Sequence, residues 1–157
     1  MTSMADICRT WADTLLADDE LRQYIRDTCG ADLHIFVGYD DVREFGAADC
    51  PYVVMQPVED GRGPEREENS YGIALFLGAV LDKDYEQPEP GLYVHPALTF
   101  MEGEFAPRVL SRLMDSEFPP GRGDGESSPV INGYCEKNIL ITLTEPNTIG
   151  IGKNAWK

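Results

Sequence analysis

Pro51-Tyr52-Val53-Val54-Met55-Gln56-Pro57-Val58 and Tyr71-Gly72-Ile73-Ala74-Leu75-Phe76-Leu77-Gly78-Ala79-Val80-Leu81 are two apolar runs separated by the charged stretch Glu59 to Ser70. They read as two sheet strands carrying a long, exposed hairpin arm, because reversing a hairpin takes only about two to five residues. Along the second run, Tyr71, Ile73, Leu75, Leu77, Ala79 and Leu81 share one face, while Gly72, Ala74, Phe76, Gly78 and Val80 share the other. Both faces are apolar, which predicts a central strand. The small residues of the second face leave room for a close neighbour, either a helix of the same chain or another subunit.

Outward from this block, Ile7, Cys8, Trp11 and Leu15 recur at helical spacing, and the pattern resumes with Leu21, Tyr24, Ile25 and Thr28 after Ala17-Asp18-Asp19-Glu20. This predicts a kinked helix or two short ones, with an aspartate as a second cap and Gly30 as the stop. Leu33, Ile35 and Val37 suggest a short strand, followed by a surface connection to Asp49. Leu92 to Pro96 extends briefly. A later helix is expected from Glu102 and Glu104 in its first turn, Pro107, and the stripe Val109, Leu110, Leu113 and Met114. Val130-Ile131 and Ile139 to Thr144 suggest a closing hairpin through Glu136-Lys137-Asn138. The expected fold is α+β: a single domain over 1–157, with one mostly antiparallel sheet of about four to five strands flanked by two main helices. Flexible loops are expected near 59–70, 82–91 and 119–129, with a loose tail over 146–157.

The chain has 157 residues and a formal net charge of −15, from 28 acidic against 13 basic side chains. That balance repels phosphate backbones, so no sequence-specific nucleic-acid binding is expected. Asp6, Asp13, Asp18, Asp19 and Glu20 interrupt the place where a secretory signal would need its apolar core. The longest apolar run, Ile73 to Leu81, falls short of the ~20 residues of a membrane-spanning helix. The expectation is a protein folding in the cytoplasm with no membrane role. Cys8, Cys29, Cys50 and Cys135 show no C-x-x-C pair and read as free thiols.

Catalytic signatures are weak. His34 and His95 lack the spacing of a helical metal site, and the carboxylate pairs Asp18-Asp19, Asp40-Asp41 and Glu59-Asp60 read as solvated surface. Gly121-x-Gly123-x-Gly125 follows a helix and lacks the lysine of a phosphate loop, and Arg122-Gly123-Asp124 reads as part of a solvated linker. A Cys135/His95 pair has no positive support in the sequence. No metal, cofactor or catalytic residue is expected.

The helix ending near Leu21-Arg22-Gln23-Tyr24-Ile25, the strand into Val37-Gly38, the Pro51 to Pro57 strand, the polar arm and the Tyr71 to Gly78 strand together resemble the tail-terminator or tail-completion proteins of long-tailed bacteriophages. The resemblance covers about Met4 to Leu81 and implies a non-enzymatic protein that assembles into rings, typically hexameric. Its partners would be further copies of itself, the tail tube protein and the head–tail connector, and its destination the virion tail. On that reading Arg62, Glu65, Arg66, Glu67 and Glu68 are arm contacts, and Gly72, Ala74 and Gly78 allow close approach of a neighbour. The acidic balance would suit a lumen through which DNA slides without adhering. The alternatives are a cytoplasmic adaptor that binds a partner at a strand edge and, further off, a small hydrolase.

Overall fold

A computed structural model describes residues 2–40, 42–61 and 68–146. The fold is α+β: a five-stranded sheet in the order β1-β2-β3-β7-β6, with a separate two-stranded hairpin. In chain order the elements are α1 (Met4–Leu16), α2 (Asp19–Cys29), β1 (His34–Val37), β2 (Tyr52–Gly61), β3 (Glu68–Val80), β4 (Glu86–Glu89), β5 (Leu92–Val94), α3 (Pro96–Phe100), α4 (Ala106–Met114), β6 (Arg122–Ser127) and β7 (Tyr134–Pro146). β1 pairs parallel to β2, and the other pairs in the large sheet are antiparallel.

The amino-terminal pattern resolves into two helices rather than one kinked helix. Ser3 and Asp6 form a reciprocal capping box on α1, at 3.1 and 3.0 Å. Asp18 accepts from the Leu21 N–H at 3.0 Å and starts α2, and Gly30 closes it at φ 76°. The buried stripe of α1, Ile7, Cys8, Trp11, Ala12 and Leu15, then meets the sheet. Trp11 Nε1 donates to the Phe118 carbonyl at 2.8 Å, fastening α1 to the chain that follows α4.

The later helix starts about six residues earlier than its first-turn acids suggested, since α3 begins at Pro96 and Glu102 and Glu104 lie inside a longer rod. His95 Nδ1 caps α3 by accepting from the Ala97 N–H at 3.1 Å. Between α3 and α4, Met101–Phe105 forms a π-helical segment in which the Ala106 N–H reaches back to the Met101 carbonyl. This places Pro107, which has no N–H to give, directly after the widened turn. Glu102 turns to β7, where Lys137 donates to it at 2.5 Å and Ser127 of β6 donates as well. Those two bonds hold its carboxyl below the usual range.

Three loop expectations need correction. The arm is not a loop from Glu59 to Ser70: β2 and β3 pair through Gly61↔Ser70, with a bulge between Pro57 and Glu59. The 82–91 region contains β4, hairpinned to β5. The 119–129 region contains β6, bonded to β7 from Arg122↔Thr142 to Ser127↔Lys137. The closing turn was also misplaced. It lies at Asn132-Gly133, both at positive φ (49° and 80°), between the bridged residues Ile131 and Tyr134. β7 then runs unbroken through Glu136-Lys137-Asn138, and Pro146, expected in the loose tail, is its last residue, opposite Glu68.

The core lies on one side of the sheet. Val53, Met55, Ile73, Leu75, Leu77, Ile139, Ile141 and Leu143 join the buried stripes of α1, α2 and the 96–114 rod in one cluster. Tyr52 and Val54 are equally buried but lie outside that cluster, on the opposite face.

Candidate assembly surface

The second face of the sheet and the arm that continues beyond it have three parts with different chemistry. At one end, the segment between β1 and β2 folds back as an aromatic cover. Phe45 packs against Phe36, Tyr39 and Tyr52 with ring centroids 4.9, 5.7 and 5.5 Å apart, and Tyr39 reaches Phe76 at 5.7 Å. Arg43 lies over Phe36 and Phe45 and is held by Asp49 at 2.7 Å. Asp49 in turn accepts from the Gly46 N–H and, with that bond and Arg43, keeps its carboxyl below the usual range.

Under this cover Tyr52 lies flat on Gly78, its partner across β2 and β3. A Cβ added at Gly78 would sit 2.1 Å from the tyrosine ring, so only glycine fits. The Tyr52 hydroxyl contacts the Tyr134 hydroxyl at 2.6 Å, and both reach Glu136 Oε2, at 3.2 and 2.9 Å. Burial, with the Glu136 carboxylate beside them, pushes both phenols above their ordinary range and keeps them protonated. The arrangement is a hydrogen-bonded plug that lets two tyrosines and a glutamate sit on a sheet face without stranded polar atoms.

The middle of the face is open. Ala74 and Leu140 face each other across β3 and β7, and with Asn138 and β6 residues Asp124, Gly125 and Glu126 they line a shallow groove of about 320 Å³. Leu140 is 41% exposed. The Asn138 Oδ1 is buried and accepts no hydrogen bond. Leaving such an acceptor unpaired costs about 1–3 kcal/mol, so the floor of the groove holds an unused polar group.

The third part is the arm. β2, β3 and β7 continue together past this groove, pairing Asp60↔Tyr71, Tyr71↔Leu143 and Glu68↔Pro146. Tyr71 donates to Glu145 at 2.5 Å, and Asn69 is 6% exposed with its Oδ1 unpaired. Glu59, Asp60 and Glu68 are exposed and give the arm an acidic surface.

Of the expected arm contacts, Arg62, Glu65, Arg66 and Glu67 lie outside the described residues, and Glu68 opens β3. Gly72 and Gly78 do have close neighbours, but these are Glu59 and Tyr52 of the same chain, and the cover over Gly78 is aromatic rather than helical. Ala74 alone of the three borders open space. Sequence reasoning missed Tyr52, Tyr134, Glu136, Asn138 and Leu140. The available signal was the Asn132-Gly133 turn, which sets the register that aligns β7 with β3.

The nucleophile pair considered from sequence is not favoured by its surroundings. The Cys135 side chain is fully buried and burial pushes its thiol up, while His95 Nδ1 is occupied by the cap. Cys8 and Cys29 are pushed to about 11 and Cys50 to about 12, each chiefly by burial. Among the described residues no group of three or more His, Cys, Asp or Glu is placed to hold a metal, and no helix is long and apolar enough to cross a membrane. Comparison with protein-family models and with curated proteins gave no match to this chain.

Proposed function

We propose that this protein is a non-enzymatic phage or prophage tail-assembly protein. Copies of it would close into a ring, a hexamer on the resemblance noted above, that ends the tail tube and joins it to the head in the virion tail. The observation that supports this reading is the shape of the sheet. One face carries the helical layer, while three strands extend together as a paired, acidic arm beside an uncovered groove. A paired arm can present fixed contacts to a neighbour, so less ordering entropy opposes assembly than for a free loop. Ring closure would stop tube growth by geometry, one ring face meeting the last tube ring and the other the connector.

Multi-angle light scattering across concentration, with and without tube protein, tests the ring. Annular particles or a mass that is a closed multiple of 17.5 kDa is the expected result. A monomer under every condition overturns the reading. Replacing residues 62–67 by Asn-Gly tests the arm while sparing the Gly61↔Ser70 pair. Assembly should fall with thermal stability retained, and unchanged assembly would remove the arm from the interface.

One observation favours a second reading. β6 is an edge strand with all six residues exposed, a place where an adaptor could add an extended partner peptide to its sheet.

A further inference from the structure

We propose that the groove between β3, β7 and β6 is the seat for the carboxy-terminal segment, residues 147–157, of a second copy of this chain. The inference rests on the ring reading and gives it a specific contact.

Three features of the groove define its occupant. Its floor is apolar, with Ala74 and the exposed Leu140. Its rim is acidic and its outer strand is unpaired: β6 ends the sheet order, and Asp124 and Glu126 face the same side as Leu140 and Asn138 through the pairs Asp124↔Leu140 and Glu126↔Asn138. Arg122 lies 3.4 Å from Asp124, and both side chains are largely exposed. Glu126 has no ion pair among the described residues. The groove therefore fits an extended, apolar and cationic segment.

Residues 147–157 have that chemistry. Asn147-Thr148-Ile149-Gly150-Ile151-Gly152-Lys153-Asn154-Ala155-Trp156-Lys157 lie outside the described residues. Ile149 and Ile151 alternate with Gly150 and Gly152, the period of a strand that presents one apolar and one small face. No acid follows Glu145, and two of the four lysines of the chain, Lys153 and Lys157, fall here. In a chain of net charge −15 this is the stretch whose charge complements the β6 rim.

The ring reading assigns the segment to a second copy. From Leu140 in the groove to Pro146 opposite Glu68, β7 carries the chain roughly 20 Å away from the groove at ~3.4 Å per residue. Eleven residues, fully extended, span at most about 36 Å at ~3.3 Å per residue, enough for the segment of one copy to reach the groove of another. A tail-to-groove contact of this kind joins two unlike surfaces, the heterologous geometry that generates rings.

The test uses the full chain. Leu140→Cys and Ile149→Cys variants, each first shown to melt like the wild type, are mixed and oxidised with copper phenanthroline, alongside oxidised wild type as the control for Cys8, Cys29, Cys50 and Cys135. A disulfide-linked pair containing one chain of each variant, absent from the wild type, is the expected product. A link formed only within single chains of the doubly substituted protein would show that the segment covers its own groove and overturn the inference, as would no new link at all. A charge swap supplies an independent readout. Lys153→Glu/Lys157→Glu should weaken self-association about tenfold by light scattering, and Glu126→Lys on the partner should restore it; no change with either variant counts against the contact. Rings that persist without the mixed link sink this inference alone, whereas a wild-type monomer at all concentrations sinks the ring reading.

Discussion

Leu75 and Leu140 lie on neighbouring strands, one step apart in register, because Leu75 pairs with Ile139 and Ala74 with Leu140. Leu75 is fully buried, and Leu140 is 41% exposed. The same side chain on the same sheet is core on one face and surface on the other, so apolar identity alone does not report which face is used. What decides it is the layer above. Helical stripes cover the Leu75 face, whereas among the described residues the second face is covered where Phe45 and Tyr39 lie over Tyr52 and Phe76.

Substitutions can break this contrast. Leu75→Ala should destabilise the fold by about 2–5 kcal/mol in a denaturant titration, since it removes a buried side chain and leaves a cavity among core residues. A loss under ~1 kcal/mol would mean that the helical layer repacks freely and the two faces differ less than they look. Gly78→Ala should cost roughly 1–3 kcal/mol, because its Cβ would enter the Tyr52 ring. Combining it with Tyr52→Ala should give a total smaller than the sum of the two single losses by more than ~0.5 kcal/mol, the coupling expected of residues in contact. Strict additivity would show that the aromatic cover does not depend on that approach. Leu140→Ala should change stability by no more than about 0.5 kcal/mol while lowering self-association. A large stability loss there would mean that the groove is filled in the isolated chain.

The covered face was legible because each of its elements obeys a simple period. α1 and α2 show helical stripes with Asp18 between them, and β3 alternates large residues on its core side. The 96–114 rod was only half legible, because its first turn carries Pro96 and His95 rather than an acid, and the acids at 102 and 104 mimic a start. β6 was illegible for a different reason. Its Gly123 and Gly125 face the core side opposite Ile139 to Ile141, so the strand shows no apolar alternation and owes its place to ladder bonds with β7. Glu136, Lys137 and Asn138 looked like a turn because their charge hides their partners. Glu136 meets Tyr52 and Tyr134, and Lys137 meets Glu102 across the layers. Of the candidate surface, the arm and Ala74 were visible in the sequence. The tyrosine plug and the Leu140 groove depend on register, which only the Asn132-Gly133 turn fixes.

The π-helical segment at Met101–Phe105 makes this chain sensitive to length rather than to composition. A π turn holds about one residue more than the α turn it replaces. Gly103 is exposed and has nothing within 4 Å of the position of an added Cβ, so many side chains would be accommodated there. Deleting it is another matter. Regular α geometry would return, and everything beyond would rotate by about 100° relative to Phe100 and Met101. Val109 and Leu113, now buried in the core cluster, would swing out of phase with it. The rod therefore acts as a counter, and homologous chains aligned through this stretch should differ freely at position 103 while keeping the number of residues between Phe100 and Val109 fixed.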